Sequence, residues 1–317
     1  MCKELSISIA NVDCVKKRVK DLSRRSDDIK SRLAPTLKQL WLPERQLAVV
    51  SNLSDFHDLR ARFPNFIEVI DLLESTAIGL HKLGLPYESP PIVLLGEPGL
   101  GKTLFVSEVA KLMALPFFEI SLSTVSALFA LTGSNIQWAE GSVGFVASSL
   151  SNSKFANPII LIDEIDKTGG GDKYNPLNAF YSLLEPHSAK HFKDEALEFE
   201  IDASRVIWIA TANDKRMIPD PILSRMRVFD IHRPKENEMH MVVKSIYQNF
   251  RESKPYGNLL ADTIPEDTMF MLSSMSPREA RIAIDLGTLH AIGEHRTSLL
   301  PRDLPVIKKE KTRVGFY

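Results

Sequence analysis

A glycine-rich loop between an apolar run and a helix-forming segment constrains the fold of this 317-residue chain most strongly. The loop fits the phosphate-binding pattern GxxxxGK[ST], and residues 91–95 before it have the apolar character of a buried strand. In such a loop the backbone N–H groups point inward and the helix N-terminus adds positive potential, so that phosphate groups bind there. The predicted phosphate site consists of Gly96, Glu97, Pro98, Gly99, Leu100, Gly101, Lys102, Thr103 and Leu104.

Two side chains of this loop carry the chemistry that a bound triphosphate needs. The ammonium group of Lys102 supplies positive charge to the β- and γ-phosphates, and the Thr103 hydroxyl is a ligand for Mg²⁺. A chance match in a glycine-rich turn would lack the strand before it and the helix after it, and both are present here. The loop therefore predicts a nucleoside triphosphate and Mg²⁺ as ligands.

A second apolar strand, residues 159–162, ends in the two carboxylates Asp163 and Glu164. Next to the phosphate loop in a parallel sheet, Asp163 is placed to hold Mg²⁺ and Glu164 to polarise the attacking water. Acids at a strand end also cap the following helix, but the phosphate loop favours the first interpretation. Asn213 ends a further strand, where its amide either orients that water or simply forms a turn.

The remaining pattern predicts an α/β domain between two helical regions. Short continuous apolar runs, typical of strands buried on both faces, alternate with helical segments, which indicates a doubly wound parallel sheet. The predicted strands are residues 91–96, 117–122, 158–163, 205–211 and 228–232. The expected division is an N-terminal helical extension over residues 1–60, an α/β nucleotide-binding domain over 61–233 and a small all-α domain over 234–317.

Each helical region carries its own signals. In the first, residues 15–33 place apolar side chains at helical spacing among Lys and Arg, which suits either an acidic ligand such as nucleic acid or membrane, or a solvated helix packed on the body. Pro35 is expected to interrupt that region. In the second, Ser276 begins a helix with a capping box. The apolar stripe of this helix, which we expect to pack on the core of the domain, consists of Ile282, Leu286 and Leu289.

Charge and composition narrow the class of partner. Lys plus Arg number 39 and Asp plus Glu 40, so the formal charge is −1, which argues against a nucleic-acid partner. No apolar run reaches the roughly 18 residues of a membrane span, and the N-terminus lacks the apolar core of a signal peptide. Two cysteines are too few for a disulfide framework. We therefore expect a cytoplasmic protein with no membrane partner.

The order of these features resembles the AAA+ ATPases, and within them the ATPase module of the Lon family, over residues 63–289. A phosphate loop is followed by an Asp-Glu strand, a strand that ends in Asn, an arginine-bearing segment and a small helical domain. The stretches most similar to Lon are residues 133–138, 184–186 with 192–194, and 219–226. The resemblance implies a P-loop NTPase sheet followed by an all-α lid, with ATP and Mg²⁺ as its ligands.

The resemblance also implies a role for single residues. Lys102 and Thr103 match Walker A, Asp163 and Glu164 match Walker B, Asn213 matches sensor 1, and Arg278 matches sensor 2 on the lid, where it contacts the nucleotide. Arg225 matches the arginine finger, which reaches the ATP of a neighbouring subunit; the alternative is an ordinary surface arginine in an ion pair.

Trp138 and Ala139 align with the pore-loop position that grips an extended polypeptide. The alternative for Trp138 is a half-buried side chain that packs on the sheet, since tryptophan is usually buried. The polar and glycine residues around it favour exposure.

From the resemblance we expect an ATP hydrolase that forms a ring of its own copies, hexameric in the family, and that remodels or unfolds protein substrates. The Lon peptidase domain has no counterpart in these residues, so we expect no peptidase active site in this chain and a separate peptidase for any coupled proteolysis. Two other functions remain open: a nucleic-acid motor or loader, and a nucleotide-gated assembly adaptor that hydrolyses slowly.

Overall fold

The computed structural model of the chain describes residues 5–125, 127–138, 141–168 and 174–305. These residues form two compact units. The first unit is built from the described parts of residues 1–59, 68–96 and 102–231, and the second from those of 60–67, 97–101 and 232–317. The expected three-part division at residues 60 and 233 stays a prediction.

Helices dominate the described part of the chain. They are α1 (Val12–Leu22), α2 (Asp27–Leu40), α3 (Phe56–Arg62), α4 (Ile67–Leu83), α5 (Lys102–Leu112), α6 (Phe129–Thr132), α7 (Phe145–Asn152), α8 (Phe180–Leu183), α9 (Pro186–Ala189), α10 (Asp220–Leu223), α11 (Glu236–Ser253), α12 (Glu266–Ser273) and α13 (Pro277–Gly293). The strands are β1 (Ser6–Ser8), β2 (Glu44–Gln46), β3 (Ile92–Leu95), β4 (Phe117–Ser121), β5 (Ile159–Asp163), β6 (Phe192–Lys193), β7 (Glu200–Ile201), β8 (Ile207–Ala212) and β9 (Arg227–Asp230). Within the described ranges, no helix is long and apolar enough to cross a bilayer.

Five parallel strands form the central sheet of the first unit, in the order β4-β5-β8-β3-β9. They coincide with the five predicted apolar runs, and β8 is buried along its whole length. The predicted doubly wound α/β fold is therefore confirmed. Because β8 lies between β3 and β5, the carboxyl ends of these three strands are neighbours at one edge of the sheet.

The N-terminal helices share the core of the sheet. Val15 of α1 and Leu33 of α2 are fully buried in the same apolar cluster as the strand residue Ile160. The guanidinium of Arg18 is also buried, and it donates to the backbone oxygen of Ala196. Residues before position 60 are therefore part of the folded body of the first unit.

Pro35 does not interrupt the second helix, contrary to expectation, because α2 continues through it to Leu40. Proline removes the hydrogen bond to the carbonyl four residues earlier, which belongs to Ser31. Both residues are exposed, so water can solvate that carbonyl at small cost.

The second unit is an all-α bundle around α11, α12 and α13. The predicted capping box is present, since the Ser276 side chain accepts the Glu279 N–H at 3.3 Å and the Glu279 carboxylate accepts the Ser276 N–H at 2.7 Å. One expectation for α13 was wrong. The stripe of Ile282, Leu286 and Leu289 is about half exposed, at 48%, 52% and 51%.

Small residues of α13 face the core instead. A Cβ at Gly287 would lie 2.8 Å from a Leu299 methyl and 3.0 Å from the Asp303 carbonyl oxygen. The segment around residue 300 therefore approaches the helix so closely that only a small residue fits there. The buried residues of this face are Ala280, Ala283, Ile284, Gly287, Thr288 and Ala291.

Candidate functional site

The predicted phosphate and carboxylate residues meet at the carboxyl edge of the sheet in the first unit. The Thr103 hydroxyl donates to Asp163 Oδ1 at 2.9 Å. Lys102 is only 7% exposed, and its Nζ donates to the Gly96 carbonyl and, at 3.0 Å, to Asn213 Oδ1. The sheet order therefore brings together five of the residues selected from the sequence: Gly96, Lys102, Thr103, Asp163 and Asn213. The roles assigned to them stay predictions.

The loop backbone has the shape that a phosphate cradle requires. Gly99 and Gly101 have φ of +84° and +88°, a region that side-chain-bearing residues rarely adopt. A Cβ at Gly101 would meet no atom within 4 Å, so this part of the loop borders open space. The loop therefore presents its backbone rather than side chains to a ligand.

The donor set fits a magnesium triphosphate. Mg²⁺ prefers hard oxygen ligands, and a hydroxyl and a carboxylate oxygen lie within 2.9 Å of each other at Thr103 and Asp163. The buried ammonium of Lys102 lies beside them and supplies charge of the opposite sign to phosphate. These residues would hold the metal and the terminal phosphates.

Thr211, which the sequence reasoning missed, contacts both predicted Walker B residues, through the side chain of Asp163 and the backbone of Glu164. Its hydroxyl donates to Asp163 Oδ1 at 2.6 Å and accepts the Glu164 N–H at 2.9 Å. Glu164 has φ +54°, a left-handed conformation that is strained for a residue other than glycine. The Thr211 bond helps to hold that conformation. The available signal was a single hydroxyl near the carboxyl end of an otherwise apolar strand.

Asp166 is a second residue that the sequence reasoning missed. Its side chain is buried, and Oδ2 accepts the backbone N–H groups of Asn213 and Asp214 at 3.1 and 3.0 Å. The carboxylate thus ties the end of β8 to the turn after β5. It positions the Asn213 amide next to Lys102.

Replacing Asp166 by alanine is expected to lower the free energy of unfolding by about 2–4 kcal/mol, because two backbone N–H groups lose their acceptor. Denaturant unfolding of the variant and the wild type measures the difference. Asp166→Asn is the matched control, since it keeps a side-chain oxygen for the same two donors. Equal losses in the two variants would contradict this role of the oxygen.

Arg225 forms an ion pair in this structure. Its Nε donates to Glu185 Oε1 at 2.9 Å, and a second guanidinium nitrogen donates to the Pro221 carbonyl. The pair is partly exposed, at 30% for the Arg225 side chain and 47% for Glu185. The arginine-finger role of Arg225 stays a prediction.

Arg278 lies in the second unit at the start of α13, next to the phosphate loop. A Cβ on Gly99 would lie 3.2 Å from Arg278 Cβ, so the loop backbone packs directly against the base of this side chain. The sensor 2 role is an inference from the resemblance, and it stays a prediction.

Trp138 is 59% exposed, which favours the exposed interpretation over a side chain packed on the sheet. Its backbone N–H donates to the Asn135 carbonyl, and its carbonyl accepts the Gly141 N–H, both at 3.0 Å. Ala139, the second predicted pore-loop residue, lies outside the described residues. Trp138 therefore occupies a polar turn that presents its ring to solvent.

A buried carboxylate supports the base of that turn. Asp194 accepts the Gly144 N–H at 2.8 Å and also the N–H groups of Ala196 and Leu197. Burial raises the pKa of Asp194 to about 6, against the opposite effect of these three hydrogen bonds. Gly133 packs on the same carboxylate, since a Cβ there would lie 2.6 Å from Asp194 Oδ1.

Sequence comparison shows that the chain is similar to one protein family model and to several known proteins. Residues 92–234 match the model of the ATPase family associated with various cellular activities (AAA). The peroxisomal Lon protease homolog 2 of Oryza sativa subsp. indica is 30% identical over 207 residues, which cover 65% of this chain and 23% of that protein. The Lon protease of Fusobacterium nucleatum is 29% identical over 206 residues, which cover 65% of this chain and 27% of that protein. The chain thus spans about a quarter of the length of these relatives.

Solved structures share the fold at low sequence identity. A closed-state structure of Hsp104 with ATPγS and FITC casein superposes with a TM-score of 0.64 at 14% identity, covering 90% of this chain and 56% of that one. A variant of RuvB from Thermotoga maritima gives a TM-score of 0.52 at 13% identity, covering 75% and 67%. Together with the family match and the site geometry, these results show that residues 92–234 form an AAA ATPase domain, and that Lon proteases are among the proteins similar to this chain.

Proposed function

We propose that this chain binds and hydrolyses ATP with Mg²⁺ and, in a ring of its own copies, uses that hydrolysis to unfold protein substrates. The observation that carries the proposal is the 2.9 Å contact of Thr103 with Asp163 beside the buried Lys102. Hydroxyl, carboxylate and ammonium groups in this arrangement match the needs of a magnesium triphosphate.

In the proposed reaction, each residue has one task. Bound Mg²⁺ supplies charge neutralisation at the phosphate oxygens, and Thr103 and Asp163 hold it. Glu164 accepts a proton from the water that attacks the γ-phosphate. Asn213, held in place through its backbone by Asp166, orients that water.

The proposed ring places Arg225 at the nucleotide of the adjacent copy. The similarity to Lon proteases supports this role, and the Arg225 side chain is accessible enough to change its partner. Any proteolysis coupled to this motor comes, in this proposal, from a separate polypeptide. The expected cytoplasmic location stays a prediction, since the Lon relatives include proteins named peroxisomal and mitochondrial.

The proposed protein substrate contacts Trp138. An Hsp104 structure of the same fold contains casein, which makes FITC-labelled casein a suitable probe. Trp138→Ala is expected to weaken FITC-casein binding at saturating ATP about tenfold or more, because the exposed ring is the group that holds the polypeptide in this proposal. The rise in FITC-casein anisotropy on binding measures the affinity.

Leu83→Ala is the matched control for this experiment, since Leu83 is a 71% exposed apolar side chain on α4, outside the pore-loop segment. FITC-casein binding by Trp138→Ala with the wild-type affinity would overturn the pore-loop role. Turnover that rises with DNA and falls steeply with salt, without casein binding, would instead support the nucleic-acid motor.

A further inference from the structure

The basic N-terminal helices have no part in the proposed ATPase chemistry, yet a concave, mainly apolar surface lies on them. A short turn over residues 23–26 joins α1 and α2 into a helical hairpin. The outer side of this hairpin is a groove of about 650 Å³. We call it the α1–α2 groove; its apolar lining is Val19, Leu22, Leu37, Trp41 and Leu42, and its charged lining is Lys30 and Lys38, both on α2.

The floor of the groove is attached to the core, whereas its end is open. Leu22 and Leu37 are 6% and 2% exposed and belong to the apolar cluster of the sheet, so the floor is rigidly supported. Trp41 and Leu42 are 47% and 76% exposed. Large apolar side chains next to a supported apolar floor are the arrangement found at the energetic centre of protein interfaces.

The charge of the groove has one sign. Among its described lining residues there are two lysines and no carboxylate. Lys30 pairs with Asp27 at 2.9 Å, but Asp27 is 98% exposed and outside the lining, so a ligand carboxylate can share the ammonium. An apolar surface that carries cations on one of its two helices is complementary to an apolar strip with anions beside it.

The shape of the groove selects among acidic ligands. A trough between two packed helices accommodates a third helix, which inserts apolar side chains at i, i+3, i+4 and i+7. Nucleic acid would leave the apolar floor covered by polar phosphates, and a flat membrane surface would not reach the floor of a concave trough. A helix satisfies both the apolar floor and the two lysines of α2.

We propose that the α1–α2 groove binds an amphipathic helix of a partner protein whose apolar side is flanked by Asp or Glu. The apolar side of that helix packs on Leu22, Leu37 and Trp41, and its carboxylates pair with Lys30 and Lys38. The groove shares no lining residue with the nucleotide site, so loss of helix binding and loss of ATPase activity can be distinguished by experiment.

Trp41 reports binding directly. Trp208 is buried and Trp138 is the other described exposed tryptophan, so a Trp138→Phe background leaves Trp41 as the exposed indole. The probe is a synthetic helix of about 18 residues with leucines at helical spacing and glutamates on both flanks. A second probe carries lysine at each of these glutamate positions. We expect a saturable blue shift of Trp41 fluorescence, with about tenfold tighter binding of the glutamate probe.

Matched variants test the two parts of the site. Lys30→Glu combined with Lys38→Glu is expected to reverse the preference between the two probes. Leu42→Gln is expected to weaken binding of the glutamate probe about tenfold, whereas Leu83→Gln, at a similarly exposed leucine of α4, leaves it unchanged. All variants are compared in basal ATP turnover with the background protein to verify folding.

Three results would overturn the proposal. The first is equal binding of both probes by the background protein and by the double lysine variant. The second is self-association that Leu42→Gln abolishes, which would make a second copy of this chain the occupant. The third is binding of phosphatidylserine vesicles, but not of the glutamate probe, with the same dependence on Lys30 and Lys38.

Discussion

Arg225→Ala is expected to lower kcat for ATP by about 10³–10⁵, the range over which an arginine finger acts on phosphoryl transfer. The guanidinium is paired with Glu185 in this structure, and it must leave that carboxylate to reach the nucleotide of the adjacent copy. Because the pair is partly exposed, it contributes at most about 1 kcal/mol, which is small beside the charge stabilisation of the transferring phosphoryl group. Steady-state ATP turnover measures the effect, and Arg227→Ala is the control, since Arg227 is an exposed arginine two residues away.

Mixed assemblies separate action on the adjacent copy from action on the same chain. Arg225→Ala keeps Glu164, and Glu164→Gln keeps Arg225, so a ring that contains both variants has some complete sites and regains part of the wild-type turnover. On dilution, light scattering should show that the assembly dissociates, and the specific ATPase activity, assayed at the same concentrations, should fall with it. A dilute monomer with the turnover of the assembly, or mixtures no more active than their components, would contradict the shared site.

Glu164→Gln is expected to reduce ATP turnover by about 10²–10⁴ while ATP still binds, because the amide cannot accept the proton of the attacking water. The backbone of the variant keeps its left-handed conformation, since Thr211 contacts the Glu164 N–H rather than its side chain. Binding of a fluorescent ATP analogue and release of phosphate in a single turnover measure the two properties separately.

Glu119→Gln is the matched control for this prediction. Glu119 lies on β4, and burial together with the charge of Asp163 raises its pKa, so it belongs to the same electrostatic environment. Loss of the Glu119 carboxylate should change ATP turnover by less than about tenfold. A similar loss in both variants would mean that negative charge near Asp163, rather than a base at position 164, sustains the reaction.

The central strands β3, β5 and β8 could be predicted because each is a short apolar run, and burial on both faces requires such a run. The edge strands β4 and β9 include exposed charged residues such as Glu119 and Arg227, so their apolar signal is weaker. The phosphate loop could be predicted because its spacing is local. Thr211 and Asp166 could not, because their hydrogen bonds join β8 to the end of β5, and the sequence does not state that β8 separates β3 from β5.

The face of α13 that packs on the core was predicted wrongly for a different reason. The apolar residues of α13 follow helical spacing, but so do its alanines and glycines, and periodicity alone does not tell which face packs. The segment near Asp303 approaches α13 so closely that only a small residue fits at Gly287. The face of α13 that contains Gly287 packs on the core and also buries Ile284, whereas Ile282 and Leu286 are exposed. Likewise, the pairing of Arg225 with Glu185, 40 positions away, has no local signal.

The burial of Val15 and Leu33 against the sheet has a consequence for how this fold can be recombined. A breakpoint near residue 60 would cut a single core and leave apolar surface uncovered on both fragments. Gene fusion or domain exchange would therefore preserve folding only when α1 and α2 are kept together with the strands of the sheet.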